Sequence, residues 1–284
     1  MTSLPMVPFA LGMVSVSGSA PFVALVFDDG AAVSLRSLRA LAIELGLSIP
    51  SGGLFDLLQD WDRVFPALAR LVQVVAYDDS ARGHRSHFVA EEFLTAEQLV
   101  PEARQIIRIR DGRPSALPVT VQGAASSSLR FAESMLSARA NFCLGAIMGR
   151  MCRHADIPTA RGAIAGWTLA TEFVRADEKG FERLSTPGSL VLGPLFVPSA
   201  FAGDLVGVEY VVALMASPIL RGDMGVIAAG VADSISALSR NALLLPGDVV
   251  IVGSDPSTTM PDSATVDVVE TTASGFGRQT ISLQ

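Results

Sequence analysis

From Val72 onward the chain is written in short, apolar, β-branched segments separated by turn residues. They run Val72–Tyr77, Gln105–Arg110, Leu117–Gln122, Phe142–Gly149, Ala163–Phe173, Ser189–Val197, Val208–Met215 and Val249–Val252. Only Ala228–Leu238, ending near Arg240 and Asn241, carries helical spacing in this half. Many short strands with turns between them specify a β-rich sandwich, roll or barrel. They do not specify a doubly wound sheet, in which strands and helices alternate. No GxGxxG pattern, P-loop, internal repeat or low-complexity tract is present.

The first seventy residues have another character. Leu11–Val16 and Phe22–Phe27 are apolar runs joined by SGSA and followed by DDG, which predicts a hairpin and a turn. Leu35, Leu38, Leu41, Ala42 and Leu45 fall at helical spacing ahead of Gly46, and a second helix is expected over Leu54–Leu71 behind Ser51 and two glycines. The expected class is α+β and β-rich. A small N-terminal hairpin-and-helix domain over 1–71 precedes a mixed β-roll or sandwich over 72–284.

Composition limits the partners. Twenty-one basic and 28 acidic side chains give a net charge of −7, with no Lys/Arg-rich run to neutralise phosphates, so nucleic acid is not an expected partner. Mean hydropathy is +0.45, yet Gly, Pro, Arg or Asp interrupts every apolar run before it could span a bilayer. No membrane association is expected. The N-terminal stretch lacks a basic region ahead of its apolar part, and a cytoplasmic location follows as the default. Two cysteines, Cys143 and Cys152, make neither a disulfide framework nor a zinc motif, and Lys179 is the single lysine.

Among individual residues, His84 is the acid–base candidate, because histidine titrates near neutrality and Asp78 and Asp79 lie close in sequence. The alternative is a solvated loop histidine within DDSARGHRSH. His87 with Glu91 reads as a surface pair one helical turn apart, and His154 as a loop residue. Cys143 lies in the apolar run NFCLGAIMGR, where a thiol is either core or nucleophile. Glu172 stands in a stretch otherwise apolar apart from Thr168 and Thr171. A carboxylate there must be paired or functional, since burying it alone is costly.

Four segments together carry a family resemblance. LLLPGDVVIVGS (243–254), LPVTVQGAASSS (117–128), NFCLGAIMGR (141–150) and GWTLATEFVRAD (166–177) resemble, in order, the LLPGDVI-TGTP, PVGYHGRASS, ExELAVVIG and GYTVANDVSARD segments of the fumarylacetoacetate hydrolase superfamily. PFALGMVSVSG and VALVFDDGAAVSL resemble the N-terminal domain of its eukaryotic-type members.

The resemblance implies a divalent cation on carboxylates, a nearby histidine as base, a small carbonyl substrate and a homodimer. The ligand positions have changed, however. The glutamates of ExE fall on Asn141 and Cys143, and the aspartate of NDVSARD falls on Glu172. The first ligand falls on Tyr77 or Asp78, and the histidine on His84. The arginine of GRASS becomes Ala124, that of SARD becomes Ala176 beside Arg175, and the threonine of TGTP becomes Val252.

The implied catalytic residues are therefore His84, Glu172 and Asp78. The implied substrate contacts are Tyr77, Gln122, Asn141, Cys143, Arg175 and Val252. No cofactor is expected, with Mg or Mn retained if Asp78, Asn141 and Glu172 converge, because hard cations take oxygen ligands and not thiols. The expected activity is that of a lyase, isomerase or cyclase acting on a 1,3-dicarbonyl or 2-oxo compound without the standard metal. The alternatives are a non-catalytic binding or scaffold subunit, and a Mg/Mn-dependent hydrolase or decarboxylase.

Overall fold

The computed structural model describes residues 6–16, 19–77, 94–110, 112–129, 138–175, 188–253, 258–259 and 268–283. The expected hairpin is present: Ala10–Val16 pairs antiparallel with Phe22–Val26, which pairs in turn with Ala32–Ser34. Asp29 closes the turn by accepting the Ala31 N–H at 3.1 Å, and Gly30 takes the positive φ of 80° that the turn needs.

The expected first helix follows as Arg39–Glu44, and the expected second is divided in two, Leu54–Leu58 and Trp61–Tyr77. The longest of these overturns the strand expected at Val72–Tyr77. Val64, Leu68, Leu71, Val72 and Val75 recur on one buried face of this helix, so amphipathic packing outweighs the local β-branched preference.

Among the described residues thirteen strands form one sheet. Its main path runs Ala32–Ser34, Phe22–Val26, Ala10–Val16, Leu195–Pro198, Ile164–Arg175, Ala138–Met148, Val249–Gly253, Ile106–Arg110 and Arg113–Leu117. The N-terminal hairpin extends this sheet through the pairs Leu11↔Phe196 and Gly12↔Leu195. A second sheet of five strands has the order Ser217–Asp223, Glu209–Leu214, Val268–Ala273, Gly277–Leu283, Ser126–Leu129. Among the described residues no helix is long and apolar enough to cross a membrane.

Both faces of the central strands are covered, which is why they read as nearly continuous apolar runs. In Ala138–Met148 alternate residues divide between two cores. Phe142, Leu144, Ala146 and Met148 join the core shared with the second sheet, where Phe142 stacks on Tyr210 at 3.7 Å between ring centroids. Cys143 and Ile147 join the other, with Leu11, Leu68 and Phe196 of the N-terminal unit and its neighbours.

A buried amide pins the two sheets together. Gln279 is fully buried, accepts the Thr171 hydroxyl at 2.6 Å and points its Nε2 at the carbonyls of Gly193 and Val191, 2.8 and 3.1 Å away. Thr171 also meets Thr271 at 3.0 Å. Substituting Gln279→Leu keeps the volume but strands these buried groups, and should lower unfolding free energy by about 2–4 kcal/mol. Urea denaturation measures this; a loss within about 0.5 kcal/mol, the range of an ordinary surface substitution, contradicts the assignment.

Candidate functional site

Antiparallel pairing of Ala138–Met148 with Ile164–Arg175 sets Asn141 directly opposite Glu172 and Cys143 opposite Ala170. Val249–Gly253 adds on the other side with Gly253 opposite Cys143, and Ile106–Arg110 lies parallel beyond it with Arg108 level with Ile251. Directly opposed residues share a face, and side chains alternate along each strand. Asn141, Cys143, Glu172, Arg108 and Arg110 therefore all project from one side, the side toward the N-terminal unit.

There they form a charged cluster in an apolar surround. Glu172 is 4% exposed. Arg108 Nη1 meets its Oε1 at 2.5 Å, Arg110 Nη2 meets its Oε2 at 3.1 Å, and Asn141 Nδ2 donates to Oε2 at 3.3 Å. An unpaired carboxylate at this depth would cost several kcal/mol, and three donors, two of them cationic, offset that cost. The Arg108 side chain is 12% exposed and the Arg110 side chain 41%, so the cluster opens to solvent at Arg110. Among the described residues two of its buried atoms have no hydrogen-bond partner, Asn141 Oδ1 and Arg108 Nε.

Burial pushes the Cys143 thiol well above its ordinary range, and the Glu172 charge pushes it further, with Arg110 and Arg108 opposing only in part. The group is a neutral thiol at physiological pH. Its Sγ lies 3.8 Å from the Asn141 carbonyl. This favours core over nucleophile, because attack requires the thiolate.

Three residues expected at the site, Glu172, Asn141 and Cys143, are brought together. Val252 packs against the core shared with the second sheet. Gln122 is buried and bonds the backbone of Val100 in both directions, at 3.2 and 3.0 Å. Tyr77 ends its helix half-exposed, and Arg175 ends its strand opposite Ala138. Asp78 and His84 lie outside the described residues. His154, at φ 48°, donates its backbone N–H to Ser239 in a loop.

Arg108 and Arg110 were not anticipated. The signal lies in QIIRIR, where two arginines at alternate positions of an apolar strand must share a face and need a counter-charge.

Taken alone, the donors among the described residues do not make a divalent-cation site. Among the described residues no three His, Cys, Asp or Glu side chains converge. Among the described residues Glu172 is the one carboxylate of the cluster, its two oxygens are engaged by guanidiniums, Asn141 offers one neutral oxygen, and the thiol is protonated and soft.

Residues 122–283 match the sequence model of a family described as fumarylacetoacetate (FAA) hydrolase C-terminal. Among solved structures, maleylpyruvate hydrolase from Sphingobium sp. SYK-6 aligns over 96% of this chain and 98% of its own, with TM-score 0.74 and 14% identity. The same enzyme is also known in complex with manganese(II) and pyruvate. A probable 2-hydroxyhepta-2,4-diene-1,7-dioate isomerase from Mycobacterium abscessus aligns over 98% of both chains, with TM-score 0.70 and 13% identity. A 5-carboxymethyl-2-hydroxymuconate delta-isomerase from Mycobacterium smegmatis covers 96% of this chain and 98% of its own, with TM-score 0.67 and 15% identity. At these identities the likeness shows the fold alone. No curated protein sequence matches the chain.

Cys143 and Cys152 are both 1% exposed with thiols raised by burial. Neither should react with a disulfide reagent in the native protein at pH 8, and both should react in denaturant. A thiol that is rapidly modified in the native state would restore Cys143 as a nucleophile candidate.

Proposed function

Because the chain belongs to the fumarylacetoacetate hydrolase family, we propose that it is an enzyme acting on a small 1,3-dicarbonyl or 2-oxo compound, with guanidinium charge in place of the family's cation. The observation that carries this reading is the contact of Arg108 Nη1 with Glu172 Oε1 at 2.5 Å. Glu172 stands where the resemblance places a metal-binding aspartate, and an arginine strand delivers the positive charge to it.

Chemistry follows from that charge. Carbonyl substrates of this kind react through an enolate, and a fixed cation near the developing oxyanion lowers its energy; removing one such donor from an enzyme typically costs about 100- to 1,000-fold in rate. Arg108 and Arg110 are positioned for that stabilisation. Glu172 acts as a positioning residue that holds both guanidiniums, with Asn141 beside it. His84, with Asp78, is assigned the proton transfer. The reaction class that suits a cation-stabilised enolate and one acid–base group is isomerisation or C–C lysis, with cyclisation a variant of the same chemistry. The apolar replacements Ala124 and Ala176 suit a less polar substrate than a chelating site takes. We place the activity in a homodimer in the cytoplasm.

A second reading, a hydrolase or decarboxylase with a reduced Mg or Mn site at Asp78, Asn141 and Glu172, draws on the manganese held by the structurally similar maleylpyruvate hydrolase. Purified protein should be assayed against a panel of 2-oxo acids and 1,3-dicarbonyls by following enol absorbance, with EDTA and with added manganese. Turnover should survive EDTA and fall about 100-fold or more in Arg108→Met and in His84→Ala. Activity lost in EDTA and restored by manganese supports the second reading. No turnover of any compound supports a binding subunit.

A further inference from the structure

A cavity of about 780 Å³ lies between the N-terminal hairpin and the turn at 274–276 of the second sheet. One wall is a cross-strand row of Ala10, Val26 and Ala32, which the antiparallel register sets side by side. Two of the three are alanines, whose side chains stop short of filling the space. Leu195, Val197, Phe201, Leu205 and Phe276 add further apolar lining. Gly277, at φ 80°, seats the turn against Pro194, so closely that a Cβ there would lie 2.8 Å from the proline ring. No residue of the Glu172 cluster lines this cavity. Its volume falls among those of small-molecule sites, about 300–1,000 Å³, which are apolar with a few placed polar groups.

The charges on the lining decide what polar end a ligand carries. There are two, Asp28 and Arg278. Arg278 already has a counter-ion, since its Nη1 lies 3.6 Å from Glu270 Oε1. Asp28 does not: next to it Asp29 closes the turn by accepting the Ala31 N–H, while among the described residues the Asp28 carboxylate has no hydrogen-bond or ion-pair partner. The remaining polar lining, Ser126, Ser274 and Thr280, is neutral. The unbalanced charge at the cavity is therefore negative, and the net charge of −7 on the chain draws cations toward it.

We propose that this cavity is a binding site for an organic cation with an apolar body, a hydrophobic amine, whose body fills the space between hairpin and turn and whose ammonium group meets Asp28. The site is separate from the Glu172 cluster and independent of the function assigned to it. Burial of the body removes apolar wall and apolar ligand from water together, and the carboxylate sets the preference for positive charge.

4-Phenylbutylamine, 4-phenylbutanol and 4-phenylbutyrate share one apolar body and differ in the charge of the terminal group. Titrated calorimetrically at pH 7, the amine should bind one-to-one and about fivefold more tightly than either of the others, the ratio that an exposed charge pair supplies. Asp28→Asn, a change at an exposed turn, should bring the three affinities within about twofold of one another. Ala202→Phe, which puts a ring into the cavity from its lining, should weaken all three by about tenfold or more, with thermal unfolding confirming that the variant is folded.

Equal affinity for the three probes in the wild-type protein overturns the proposal without any variant, and so does the absence of saturable amine binding at low millimolar concentration. Tighter binding of the acid overturns it as well, and would make Arg278 the recognising group. Unchanged amine affinity in Asp28→Asn, or in folded Ala202→Phe, would put the amine elsewhere on the protein. Amine affinity that falls as protein concentration rises would mean that a second copy of the chain covers the cavity, which also contradicts the assignment.

Discussion

A carboxylate at 4% exposure on the buried face of the central sheet toward the N-terminal unit cannot stand without positive charge, and the site is arranged around supplying it to Glu172. Its strand pairs with the one bearing Asn141, which pairs with the one bearing Gly253, and the arginine strand runs beyond that. Arg108 and Arg110 therefore approach across a neighbouring strand whose nearest residue to Cys143, Gly253, has no side chain to obstruct them. In this family such a carboxylate is expected to face a metal ion. On the reading proposed above, two guanidiniums of the chain itself take that place, 2.5 and 3.1 Å from the carboxylate oxygens.

The fold supplies the rigidity this arrangement requires. The strands holding Asn141 and Glu172 are buried on both faces, one against the N-terminal unit and one against the second sheet. Side chains on a strand so enclosed have few alternative rotamers without opening a cavity. Gln279 and Thr171 tie the opposite face of the Glu172 strand to the second sheet, one residue away from Glu172 itself. Displacement of the carboxylate would thus disturb a hydrogen-bonded pin as well as an ion pair.

Much of this was legible in the sequence. The hairpin, the central strands and the approach of Asn141, Cys143 and Glu172 follow from turn signals, apolar runs and motif order. Val72–Tyr77 misled because its valines have a strand's local preference, while the register with Leu68 and Leu71 makes them a helix face. The strands Val268–Ala273 and Gly277–Leu283 carry a weak sequence signal because their buried positions include Thr271 and Gln279, polar groups that blur the alternation where they connect the sheets. Arg108 and Arg110 were missed for a different reason. Acids and histidines mark a metal site, whereas the counter-charge of Glu172 lies in the arginines of QIIRIR, which carry no such mark.

Guanidinium charge in place of a divalent cation at Glu172 can be tested with the metal itself. Manganese(II) titrated into chelator-stripped protein, with free ion followed by electron paramagnetic resonance, tests it most directly. The account predicts no stoichiometric manganese binding that depends on Glu172, so that the wild type and Glu172→Gln give the same titration curve. One equivalent bound by the wild type and lost in Glu172→Gln would contradict it.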